Sequence, residues 1–263
     1  MVRGTIAIEE AVINPSDLEW LGDSAAMYAP GSGASDPSAN KYHALSQRLA
    51  DIHDHRLKQM DAEGVEYMLL SVTSPGPQGE GDPVEAQRLA VHANDWLAAE
   101  CARNPSRFGG LASLSMHDGE EAARELRRAV KELGMFGAIL NDYQTVGADA
   151  DEVVIVSIPF NLWRADHWYN KPVKKATRPS KEDYSHYFKK NISLTTSGNF
   201  NTRGLKFCIE EVGLDRCLYS IDYPYDEIKE AQDWWKGVDL PADQKEVVAR
   251  TNAIKLFKLP LEI

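Results

Sequence analysis

The chain has 263 residues, 43% of them apolar, which is enough for one large α/β domain with a substantial core. Its 29 Lys and Arg stand against 40 Asp and Glu, and the resulting charge of −11 excludes a nucleic-acid backbone or an anionic membrane surface as its main partner. Cys101, Cys208 and Cys217 are odd in number and lack C-x-x-C spacing, so neither a disulfide framework nor a zinc knuckle is expected. No segment approaches roughly 18 consecutive apolar residues and the N-terminal MVRGTIAIEEAV has no uninterrupted apolar stretch, so a cytoplasmic chain with reduced thiols is expected.

Strand-like apolar runs alternate with helical patterns, the mark of βα units around a largely parallel sheet. The first run is Thr5 to Glu9, followed by a Gly/Pro/Ser-rich loop at 29–40. A long helix is expected from Ala44 to Glu63, stopped by Gly64, and then a buried strand from Tyr67 to Val72. Asp82-Pro83-Val84-Glu85 predicts a helix start, with Asp82 as cap, Pro83 at the first position and Glu85 reaching back. That helix runs to about Asn104. A third strand at Phe108 to Leu114, a charged helix at Glu120 to Leu133 and a fourth strand at Phe136 to Asn141 follow.

The rhythm then breaks at about 149–158, where a short run, Val153 to Ser157, leads directly into an aromatic helix, Ile158 to Tyr169. It resumes with a helix at Lys181 to Lys190, a strand at Ile192 to Thr195, a helix at Thr202 to Val212 and a strand at Cys217 to Ser220. The acidic-aromatic segment Glu227 to Trp235 and a helix at Asp243 to Phe257 complete the chain. Seven strands are one short of a closed TIM-like (β/α)8 barrel, so a single incomplete barrel domain over 1–263 is expected.

Catalytic side chains of such barrels gather where strands end. Glu9 closes the first run, with Glu10 beside it, and Asp222 closes the last in Ser220-Ile221-Asp222-Tyr223-Pro224. First and last strands are neighbours in a barrel, so Glu9 and Asp222 fall on one rim, where they are candidate ligands of a divalent cation. The competing reading makes Glu9 a solvated strand end and Asp222 a turn former. None of His43, His53, His55, His92, His117, His167 and His186 is well placed to join them. His53 and His55, inside the expected helix at i, i+2, point to different faces. The loop Ser71 to Gly81 reads as a mobile connection or, functionally, as a pocket wall with Ser74 facing in. Neither a G-x-S-x-G elbow nor a Gly-rich phosphate loop is present.

Several stretches together resemble the non-oxidative ortho-hydroxybenzoate decarboxylases of the amidohydrolase superfamily, the 2,3-dihydroxybenzoate, γ-resorcylate and salicylate decarboxylases. They include IAIEEA at 6–11, RLKQMDAEGVEYMLLSVTSPG at 56–76, NPSRFGGLASLSMHD at 104–118, IPFNLWRADHW at 158–168, LTTSGNF at 194–200 and EVGLDRCLYSIDYPY at 211–225. The resemblance implies an amidohydrolase-type barrel and a divalent metal, Zn, Mn or Mg, held by Glu9 and Asp222. It makes Asp222 the acid that protonates the ring carbon of a small aromatic carboxylic acid. It further implies that Ser74, Arg164 and Tyr223 face the substrate, Arg164 across a subunit interface, in a homo-oligomer. Family members carry a His-Pro motif and a Gly-His-x-Gly-Glu motif where this chain has only the junction at 149–158. About two βα units, roughly 60 to 80 residues at the usual barrel spacing, are therefore expected to be missing. Two alternatives stand beside decarboxylation: a catalytically inactive shortened chain that associates with itself or an intact paralogue, and a hydrolase of the same superfamily. The NLWR, TTSGNF and SIDYP motifs favour the decarboxylase branch.

Overall fold

The structure is a computed structural model, and it describes residues 3–18, 39–141, 158–177 and 180–263. The junction at 149–158, apart from Ile158, and the loop at 29–40, apart from its last two residues, lie outside the described residues.

Three parallel strands form the first sheet: β1 (Thr5–Val12), β2 (Val65–Val72) and β3 (Phe108–Gly110), in the order β1-β2-β3. A second parallel pair is made by β4 (Leu194–Thr195) and β5 (Cys217–Leu218). Backbone hydrogen bonds join these pieces. Ala11 N–H donates to the Tyr223 carbonyl at 2.8 Å, which lays the continuation of β5 against β1. Beyond β3, Phe136 N–H donates to Gly110 O and Ile139 N–H to Ala112 O, so the expected fourth strand is present as a short parallel bridge at Ala138. Among the described residues the strand positions form one open arc, from the 136–139 segment through β3, β2, β1 and β5 to β4. Among the described residues the (β/α) barrel is open between Ile139 and Leu194.

Two apolar layers flank the arc, as the alternation of side chains along a strand requires. Ile6, Ile8, Tyr67, Leu69, Leu111 and Leu218 pack together on one face. Ala7, Met68 and Leu70 pack on the other, with Met60, Leu97 and Cys101 of the helices.

The expected helix over 44–63 is two helices, α1 (Ala39–Ala50) and α2 (His55–Glu63). Asp51 makes the break. Its carboxylate accepts from the backbone N–H of Asp54 (3.0 Å), His55 (2.7 Å) and Arg56 (3.1 Å), satisfying the free amides that open α2. His53 therefore lies between helices rather than within one, hydrogen-bonded to Glu100 at 2.9 Å. The helix α3 (Pro83–Ala102) starts as expected, with Asp82 accepting from Val84 and Glu85 N–H. Glu85 does not reach back, because it pairs with Arg88; Glu80 takes the Asp82 N–H instead.

The remaining helices are α4 (Gly119–Lys131), α5 (Ile158–Tyr169), α6 (Pro172–Thr177), α7 (Tyr184–Asn191), α8 (Thr202–Val212) and α9 (Ile228–Gly237). The C-terminal helix is not one regular element: α10 (Ala242–Glu246), a π turn (Val247–Thr251) and α11 (Asn252–Phe257) run on from one another. No helix among the described residues is long and apolar enough to cross a membrane.

Candidate functional site at the strand ends

β1 carries a register shift against β2: Ala7 pairs with Met68 and Glu10 with Leu70, so three residues advance on one strand for two on the other. Such a bulge re-aims side chains. Ala7 and Glu10 fall on the same face, and Glu9 is turned the other way. Glu9 meets Thr195 of β4, whose hydroxyl donates to it at 3.0 Å. Glu10 is completely buried and accepts from Ser220 Oγ (2.9 Å), Ile221 N–H (3.0 Å) and Tyr223 N–H (2.8 Å).

Asp222 occupies the left-handed region at φ 79°, a rare conformation for a residue with a side chain. Its carbonyl accepts from Tyr225 and Asp226 N–H, closing a tight turn that includes the cis Tyr223–Pro224 bond. Gly198, itself left-handed at φ 60°, lies against its carboxylate: a Cβ there would stand 3.2 Å from Asp222 Oδ2 and 3.4 Å from Asp226 Oδ2. Burial pushes the Asp222 carboxyl up to about 6, and the charge of Asp226 adds to the rise, while Ser197 pulls it back. Glu9 is raised by burial and by Asp222, and lowered by Thr195 and Ser197. Glu9 and Asp222 therefore share a neighbourhood at the strand ends: the charge of Asp222 raises Glu9, and Ser197 lowers both. Thr195 and Ser197 join them there. Neither was singled out from the sequence, although both sit in LTTSGNF, Thr195 at the end of β4 and Ser197 just after it.

The other expected site residues are distributed differently. Tyr223 is fully buried, with the guanidinium carbons of Arg48 and Arg56 at 4.8 and 4.6 Å from its ring centre. It offers no open surface to a ligand, so its position is that of a support beneath Asp222 rather than of a substrate contact. Tyr225, two residues on, is the exposed ring and shares a 2.5 Å hydrogen bond with Thr73 Oγ1. Ser74 is half-buried at the start of a packed, hydrogen-bonded loop. Gly76, Pro77 and Gln78 are buried, Gln78 exchanges hydrogen bonds with the Asn141 backbone, and Asn141 Nδ2 donates to Pro75 O at 2.9 Å. Arg164 is exposed on α5. A cavity of about 230 Å³ opens between this loop and α3, lined by Ile13, Val72, Pro77, Arg88 and Leu89; neither Glu9 nor Asp222 lines it.

No imidazole joins the two carboxylates among the described residues. His53 is held by Glu100, His92 by Asn14, His117 by the Glu80 carbonyl at 2.9 Å, and His167 stacks on Trp163. Among the described residues no three His, Cys, Asp or Glu side chains are grouped to hold a metal ion. Two carboxylates provide oxygen donors for a hard cation, yet they do not complete the donor set that retains a borderline metal such as zinc.

The profile of the amidohydrolase family matches residues 35–154 and 169–259. The chain belongs to the amidohydrolase family. Within that family its relatives are decarboxylases, which makes it a carboxy-lyase by descent. The gamma-resorcylate decarboxylase of Rhizobium radiobacter is 30% identical over 339 aligned positions, covering 98% of this chain and 99% of the relative. That alignment is longer than the 263 residues of this amidohydrolase. A 2,6-dihydroxybenzoate decarboxylase solved with 2,6-dihydroxybenzoate superposes with a TM-score of 0.85 at 29% identity, covering 98% of this chain and all of the other. A dihydroxybenzoic acid decarboxylase from Polaromonas sp. JS666, solved with bound manganese and the inhibitor 2-nitroresorcinol, also superposes at 0.85, with 28% identity over 99% and 98% of the two chains.

Proposed function

We propose that this amidohydrolase descends from, and acts as, a non-oxidative decarboxylase of a hydroxylated benzoic acid, with Asp222 as the group that delivers a proton to the ring carbon bearing the carboxylate. The observation that carries this reading is the Asp222 carboxyl itself. It stands at the strand ends with its affinity for a proton raised to about 6 by burial, so it holds a proton more readily than an ordinary carboxylate, as a general acid requires. Protonation at that carbon breaks aromaticity, and loss of carbon dioxide restores it, with the ortho hydroxyl supplying electron density. Glu9 and Ser197 flank the acid, and Ser74 and Arg164 are the further groups expected around the aromatic acid. The divalent metal that the manganese-bound relative holds would polarise the carboxylate and phenolic oxygens. Here Glu9 and Asp222 are the groups that could face it, and the incomplete donor set supports only weak retention.

That incompleteness favours a second reading, in which the chain lacks about two βα units at the junction at 149–158 and is a silent partner that associates with itself or with an intact relative. The open arc, and an alignment longer than the chain, support the shortening.

Carbon dioxide release from 2,6- and 2,3-dihydroxybenzoate, measured with added zinc, manganese or magnesium, separates the two. Decarboxylation is expected to appear with a metal supplement and to be lost, by about a hundred-fold or more, in Asp222→Asn. No release under any supplement, together with co-purification with itself or an intact relative, would establish the silent reading.

A further inference from the structure

The two adjacent carboxylates of β1 have separate tasks, and only Glu9 faces the rim. Glu10 binds the backbone on both sides of Asp222: the N–H of Ile221 before it and the N–H of Tyr223 after it, with the Ser220 hydroxyl as third donor. The turn they hold is the left-handed one from which Asp222 is directed at Gly198 and Ser197. A carboxylate is the side chain this arrangement demands. Oε1 accepts from Ser220 and Ile221 while Oε2 accepts from Tyr223, so both ends must be acceptors. An amide would present N–H₂ to an N–H at one end. Arg56, buried behind Tyr223 and donating to the Ala11 carbonyl at 2.7 Å, supplies the compensating positive charge.

We infer that Glu10 is a positioning residue: it fixes the left-handed turn at Asp222 and so places the carboxyl at the rim. This rests on the reading of Asp222 as the acid only for its catalytic consequence; the placement itself is a statement about the backbone.

The test is Glu10→Gln in the full chain. Hydrogen exchange at the Ile221 and Tyr223 amides is expected to rise by about ten-fold or more, the loss of a hydrogen bond to a charged group, while the Met68 amide of β2 stays as protected as before. In the crystal, the Asp222 carboxylate of the variant should leave Gly198. With 2,6-dihydroxybenzoate, kcat should fall by a similar factor at an unchanged KM. Unchanged exchange at both amides, or an equal rise at Met68, would overturn the assignment, the second outcome marking a general loss of stability. If the parent chain shows no turnover, the decarboxylase reading fails while exchange and the Asp222 position still decide the role of Glu10. Should Glu10→Gln not fold, Ser220→Ala removes one donor and keeps the charge. Faster exchange at Ile221 and Tyr223 with Met68 unchanged supports the inference, and no change or a uniform rise refutes it.

Discussion

The strand arc and the segment from α5 to α7 are both rich in apolar and aromatic residues, yet among the described residues the arc buries most of its own and the segment buries Leu162 alone. In the arc Tyr67, Leu69, Tyr219 and Tyr223 are at most 1% exposed, and even Glu10 and Arg56 are fully enclosed. In the other segment Trp163 is 73% exposed, Val173 81%, and neither α6 nor α7 has a buried residue. The difference shows that hydrophobic content does not make a core; a facing surface does. The inner strands of the arc have neighbours on both edges, and helices pack behind them. The helices of the α5–α7 segment pack against one another and against α8.

Four measurements would break or sharpen this contrast. The largest effect is expected from Arg56→Met, which leaves Glu10 without its buried countercharge and the Ala11 carbonyl without a donor. The loss of stability at pH 8 should be about 3 to 5 kcal/mol, read from urea denaturation, and smaller at pH 5, where Glu10 carries a proton. Next comes pH itself. Burial raises Glu10 to about 7 and Asp222 to about 6, so between roughly pH 4 and 7 the folded chain holds protons that the unfolded chain has released. Stability is therefore fully present at the acid end of that window and falls as pH rises through the folded values. A drop on the order of 2 kcal/mol between pH 5 and 8 is expected, and a melting temperature that climbs over that range would refute it. Gly198→Ala should cost about 1 kcal/mol, because it puts a Cβ at a left-handed position and against Asp222. The smallest change is expected from Trp163→Ala on α5, within about 0.5 kcal/mol by denaturation. If sedimentation shows that an assembly dissociates in this variant, the exposed indole is covered by a partner in solution.

The site was legible in the sequence where its signal is local. Glu9 and Asp222 each close an apolar run, and the first and last strands of a barrel must meet, which was sufficient to bring them together. Helix α8 and the start of α3 were equally readable, since their caps lie next to them in the chain. Glu10 was noted only as the neighbour of Glu9, because the two look the same until the bulge separates them, and a bulge is set by pairing with β2, not by the residues of β1 alone. Arg56 reads as one more charged residue on a polar helix, and its burial arises from packing against a segment more than 160 positions away. The break between α1 and α2 did have a local signal, Asp51 three residues before Asp54, outweighed by apolar periodicity that continues across it. Tyr223 was misplaced for a related reason: adjacency to an acid suggests a shared pocket, whereas the left-handed turn at Asp222 sends the next side chain into the core.

The extra residue in β1 has a genetic corollary. Substituting Glu9 or Glu10 would remove one function and leave the other in place. Deleting Glu9 or Glu10 would instead remove the irregularity after Ala7, leave one carboxylate to serve two faces, and strand either the rim or the Asp222 turn. At this point in the chain the spacing is as much a requirement as the side chains, and a survey of viable variants should tolerate changes of letter here more readily than any change of length.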